Sequence, residues 1–101
     1  MRFTLAVLAA AAMLGGGAQH RTVTVTIDGT AFTAADVTVD AGDTVTWVNK
    51  DPFPHTATAA GVFDSGSIAV ERKWTWTASK SGTHAYICAF HPTMKGTLVV
   101  R

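Results

Sequence analysis

"GTHAYICAFHPTMKGTLVV", residues 82–100, decides the reading of this chain. Both of its flanks are rich in the β-branched and aromatic side chains that fit a pleated sheet: Thr83, Tyr86 and Ile87 before the centre, Thr97, Leu98, Val99 and Val100 after it. Between them Pro92 marks a loop, because proline is excluded from central strands. That loop holds the one Cys of the chain, Cys88, with His91 and Met94 following at three-residue intervals. Two strands therefore hold a short loop that concentrates unusual chemistry.

The same strand pattern recurs upstream. "RTVTVTI", residues 21–27, alternates Thr with Val or Ile at period two, the mark of a half-buried strand. "DGT" at 28–30 then turns the chain. "DVTVDAGDTVTWVN", residues 36–49, gives two further alternating runs split by Ala41-Gly42-Asp43, with Val45 and Trp47 on one face and Thr44 and Thr46 on the other. "ERKWTWTA", residues 71–78, sets Trp74 and Trp76 on one face, and "SKSG" leads into the final pair of strands. No segment after the N-terminal stretch carries a helical period. The expected fold is all-β: a Greek-key β-sandwich of seven to eight short, antiparallel strands. No repeat or linker divides it, so residues 19–101 read as one domain.

Residues 1–18, "MRFTLAVLAAAAMLGGGA", read instead as a secretory signal peptide: Arg2, an apolar stretch from Phe3 to Leu14, and small residues at Gly16-Gly17-Ala18. The apolar run is short for a membrane span, so no membrane insertion is expected of the mature chain. The protein is expected in the periplasm. Without Arg2, seven Lys and Arg face seven Asp and Glu. A net charge near zero gives no electrostatic case for nucleic acid or an anionic membrane. A lone Cys in an oxidising compartment cannot form an internal disulfide and needs another explanation.

The prolines supply it. Pro52 and Pro54 lie in "NKDPFPHT", Pro92 in "CAFHPTM", and each segment carries a His. Strand ends from distant parts of a sandwich meet at one pole, which lets His55 approach Cys88, His91 and Met94. Thiolate, two imidazoles and a thioether form a soft donor set, and two His and one Cys with a weak axial Met are the signature of a blue-copper electron-transfer site. Zinc fits less well, because thioether is rarely among its ligands, though it can occupy such a site adventitiously. His84 lies four residues before Cys88, roughly 13 Å away along an extended strand, too far to join them, and reads as structural or partly exposed. His20, near the new N-terminus, reads as flexible. Trp47, Trp74 and Trp76 read as core and cross-strand partners.

"VTWVNKDPFPHTATA", residues 45–59, and residues 82–100 together resemble the cupredoxins, specifically the amicyanin branch of the plastocyanin-type proteins. The two-residue interval between His91 and Met94 is shorter than that of plastocyanins and pseudoazurins. The resemblance implies His55, Cys88, His91 and Met94 as ligands of one type 1 copper. It also implies that Asn49 ties the two ligand loops together. Thr56 stands where many members have Asn, and His84 where an aromatic is usual.

The implied function is that of a soluble one-electron carrier cycling Cu(I) and Cu(II), a monomer and not an enzyme. It would meet a redox protein donor and acceptor at an apolar rim of Phe53, Pro54, Phe90 and Pro92 around His91. Lys50 and Lys95 border this rim, either steering an acidic partner or merely solvating it. A periplasmic copper carrier or storage protein is the alternative, disfavoured by the single mature Met. An enzyme is the third class, disfavoured by the lack of a His-x-His motif for further coppers.

Overall fold

The computed structural model describes residues 19–101, so the expected signal peptide lies outside the described residues. Eight strands follow one another: β1 (Thr22–Ile27), β2 (Asp36–Val39), β3 (Thr44–Asn49), β4 (Thr58–Ala59), β5 (Phe63–Asp64), β6 (Lys73–Thr77), β7 (Gly82–Ile87) and β8 (Lys95–Val100). They form a sheet of order β1-β3-β6 and a second of order β2-β8-β7-β4-β5. The all-β sandwich expected from the sequence is the architecture found.

The strand directions are a correction to the antiparallel expectation. β1 runs parallel to β3, and β2 parallel to β8. The chain leaves the first sheet after β1, contributes β2 to the second, and returns as β3 in its original direction. Period-two alternation reports which face is buried and carries no information on direction. The remaining ladders, β3 with β6, β7 with β8, and β4 with both β5 and β7, are antiparallel.

The alternation itself is accounted for. In the first sheet Thr22, Thr44 and Thr77 share a row, as do Thr24, Thr46 and Thr75, and hydroxyl pairs cross the strands at 2.7 Å from Thr22 to Thr44 and 2.8 Å from Thr46 to Thr75. The opposite face buries Val25, Ile27, Val45 and Trp47 against Val39, Tyr86, Leu98 and Val100. Each fully buried aliphatic side chain contributes roughly 1.5–3 kcal/mol. Phe63, on the short β5, sits among Trp47, Trp76 and Tyr86 with ring centroids 4.8–5.8 Å apart. Gly96 faces Tyr86, and a Cβ there would run into the phenol ring.

Asp43 fastens the end of the sandwich at which β1 and β3 begin. Its carboxylate accepts the backbone N–H groups of Arg21 at 2.8 Å and Asp40 at 2.9 Å. Those bonds hold its carboxyl below the ordinary value, against the opposing effect of burial.

Candidate metal centre

Cys88 is the first residue after β7, and Met94 the last before β8, so the β7–β8 ladder sets the span of the loop between them. Three backbone bonds close that loop: Cys88 N–H to the Met94 carbonyl at 3.1 Å, His91 N–H to Cys88 at 3.2 Å, and Met94 N–H to His91 at 2.8 Å. Pro92 has no N–H to give and its fixed φ stiffens the turn. His55 arrives from the other sheet's connection, on the segment between β3 and β4, where it bridges Ile68 through two backbone bonds.

The structure brings His55, Cys88 and His91 together. Their ligating atoms all lie within 4.8 Å of one another. Cys88 Sγ is 3.6 Å from His55 Nδ1 and 4.0 Å from His91 Nδ1. With bonds of the length found at zinc, a sulfur and a nitrogen sharing one ion at a tetrahedral to trigonal angle would be roughly 3.6–3.8 Å apart. The His55 spacing falls in that range and the His91 spacing slightly beyond it, so one ion could be held by all three after a small inward shift of His91. Met94 is buried beside them at 3% exposure on the closed loop, and Cys88 and His55 are fully enclosed. His91 is half-buried, and Phe53 and Phe90 are the exposed aromatics of its rim, at 39% and 52%. His84 is apart from this group: its ring Nε2–H donates to the Lys80 carbonyl at 2.7 Å and its side chain packs edge-on to Trp76, which makes it a structural His.

Two residues that are not themselves in the ligand set complete the centre. Asp51 Oδ2 accepts His55 Nε2–H at 2.7 Å, leaving the Nδ1 lone pair turned to Cys88. A carboxylate behind a metal-binding imidazole fixes its tautomer and orientation. Burial opposes ionisation of Asp51, but hydrogen bonds from Thr30 N–H, His55 and Gly29 N–H outweigh it and hold its carboxyl below the ordinary value. The signal was present as an Asp four residues before His55, but in a proline-rich loop that spacing predicts no contact.

Thr56 is the second. Its N–H donates to Cys88 Sγ at 3.3 Å, and its hydroxyl accepts Ala89 N–H at 2.8 Å. The expected role of Asn49 is corrected accordingly. Asn49 donates to the carbonyls of Phe53 at 2.9 Å and Ile68 at 3.0 Å and accepts Asp51 N–H at 2.9 Å, which braces the His55 loop against the segment between β5 and β6. The link between the two ligand loops is Thr56. Lys50, expected at the rim, is paired with Glu71 at 2.9 Å.

Comparison with known proteins agrees with this geometry. The Cupredoxin-like domain family matches residues 1–100. The chain is 33% identical to amicyanin of Paracoccus denitrificans over 75 residues, 68% of this chain and 57% of that protein. It is 31% identical to amicyanin of Paracoccus versutus, over 77% of this chain and 64% of that one. The match thus spans about 57–64% of the length of these two relatives. Among solved structures, an amicyanin variant in its Cu(I) state superposes with a TM-score of 0.74 at 30% identity, covering 79% of this chain and 82% of that chain. A copper-containing nitrite reductase from Thermus scotoductus superposes equally well, but over 22% of its own length.

Proposed function

The chain belongs to the cupredoxin-like family, and from that premise we propose that it is a type 1 copper protein serving as a periplasmic one-electron carrier, with His55, Cys88, His91 and Met94 as the copper ligands. The observation that carries the reading is the convergence of Cys88 Sγ with the Nδ1 atoms of His55 and His91 at 3.6 and 4.0 Å, where the hydrogen-bonded loop from Cys88 to Met94 meets the His55 segment. Copper supplies the one-electron couple.

The chain's own residues do the rest. Asp51 holds the His55 ring, Thr56 N–H holds the Cys88 sulfur, and the closed loop limits how far His91 and Met94 can move. Ligands that barely move between oxidation states keep the reorganisation small, which is what rapid electron exchange requires. His91, at the edge of the rim formed by Phe53 and Phe90, is the ligand nearest a docked partner. An apolar rim of this size suits brief encounters, and interfaces for electron transfer lie at the small end of the range. Export rests on the N-terminal signal pattern, and no helix among the described residues is long and apolar enough to cross a membrane. The exported protein is read as a monomer that meets its redox donor and acceptor only transiently.

The test is the optical spectrum of the mature protein after Cu(II) addition. An intense blue form with one copper per chain is expected, because a copper–thiolate bond absorbs strongly towards the red. Cys88→Ser should be colourless. A colourless wild-type complex, or colour that survives Cys88→Ser, overturns the assignment.

A further inference from the structure

The hydrogen bonds at Thr56 run on beyond the metal centre. Thr56 Oγ1, which accepts Ala89 N–H at 2.8 Å, lies 2.9 Å from Thr58 Oγ1. Thr58 Oγ1 in turn donates to Asp64 Oδ1 at 3.1 Å. A hydroxyl has one proton, so a Thr58 committed to Asp64 can only accept from Thr56. The Thr56 proton then points at Thr58, and its lone pairs are what Ala89 N–H meets. The direction of the chain is settled at each link: Ala89 to Thr56 to Thr58 to Asp64.

The fold fixes both ends of this chain. Thr58 and Asp64 are register partners on β4 and β5, and Thr58 is also paired with Ile87, the residue before Cys88. Asp64 is exposed, and its Oδ1 is further held by Gly66 N–H at 3.0 Å. At the inner end, Ala89 is the residue after Cys88. Bonds aligned in one sense polarise one another, and an ionised acceptor at the end strengthens the series. A stronger acceptor at Thr56 holds the Ala89 peptide more firmly, and with it the backbone that carries the sulfur.

We infer that Thr58 and Asp64 are positioning residues for the metal centre, an ordered hydroxyl relay that fixes the peptide after Cys88 from the protein surface. The inference deepens the proposed copper reading and rests on it only for its redox consequence. Neither residue is hydrogen-bonded to a ligand side chain among the described residues, so their effect is carried through Thr56 and the Ala89 peptide.

The experiment is a double-mutant cycle of Thr58→Val and Asp64→Asn, with Thr58→Ser as the rescue. Two quantities are read: the Ala89 amide proton shift by NMR, in the metal-free chain and in the diamagnetic Cu(I) form, and the reduction potential of the copper form. Thr58→Val should move the Ala89 proton upfield and shift the potential, and Thr58→Ser should restore both. Asp64→Asn should move both in the presence of Thr58 and leave both in place when Val stands at 58. An equal potential shift from Asp64→Asn in both backgrounds means that the carboxylate acts through space, which overturns the relay. An Ala89 proton unmoved by every variant overturns it too. Should Thr58→Val fail to fold, Asp64→Asn at an exposed site reads the Ala89 proton alone. A wild-type protein without the thiolate band would sink the copper reading, while the metal-free NMR arm would still decide the relay.

Discussion

Asp51 Oδ2 and His55 Nε2 lie 2.7 Å apart with both side chains buried, so the ring that presents Nδ1 to Cys88 is held from behind by a carboxylate. Asp51 is held in turn by the N–H groups of Gly29 and Thr30, at 2.7 and 2.8 Å. A loop after β1 thereby orients a ligand after β3.

Removing that carboxylate should weaken metal binding without removing a ligand. Asp51→Ala is expected to lower copper affinity by roughly 10–100-fold, the usual effect of losing a group that orients a metal-binding His. Competition with a chelator of known affinity measures it. An affinity unchanged in Asp51→Ala would mean that the bridge from His55 to Ile68 orients the ring unaided.

Met94 is buried at the end of the closed loop, and its replacement should tune the centre and leave the fold intact. Met94→Leu should raise the reduction potential, because losing even a weak thioether donor disfavours Cu(II) more than Cu(I). Met94→Gln should lower it through a harder oxygen. Voltammetry decides, and two variants at the wild-type potential would remove Met94 from the ligand set.

Asp43 makes the protein sensitive to acid at the end of the sandwich where β1 and β3 begin. The bonds from Arg21 N–H and Asp40 N–H depress its folded-state value below that of the unfolded chain. Its contribution is therefore complete above the ordinary carboxylate value and is lost as pH falls through the depressed one, since there the unfolded chain binds the extra proton. Asp43→Asn should be less stable than wild type at neutral pH and lose less on acidification. Urea melts from neutral pH to below the ordinary carboxylate value test this. Parallel losses in the two proteins would place the acid sensitivity elsewhere.

Tyr86 Oη and Trp47 Nε1 are both buried with no hydrogen bond of good geometry among the described residues, and burial pushes the phenol up from the ordinary value, opposed in part by the nearby Trp47 indole N–H. Deleting an unsatisfied buried hydroxyl removes a desolvation cost, so Tyr86→Phe should keep or raise stability, by up to about 1–3 kcal/mol. Gly96→Ala should destabilise, because its Cβ would overlap the Tyr86 ring. Denaturant midpoints separate the two. A clear loss in Tyr86→Phe would show that the hydroxyl is bonded in solution.

The class of the fold was legible in the local pattern of the chain, and so were the candidate donors of the centre. Thr and Val alternating in residues 22–27, the paired faces of residues 44–49 and 73–77, and the punctuation between them are local properties, and a period of two is legible wherever one face of a strand is buried. Cys88, His91 and Met94 were legible as candidates because one short loop carries all three, and a closed turn keeps residues three apart near one another where an extended strand would set them about 10 Å apart. The parallel pairing of β1 with β3, the carboxylate of Asp51 behind His55, and the bond from Thr56 to Cys88 emerge only once the chain is folded. These depend on where loops meet: Thr56 and Cys88 are 32 positions apart, and Asp51 is joined to residues 21 and 22 positions away. Hydrogen bonds of that reach arise from the closure of two sheets on one core, and no local spacing encodes them.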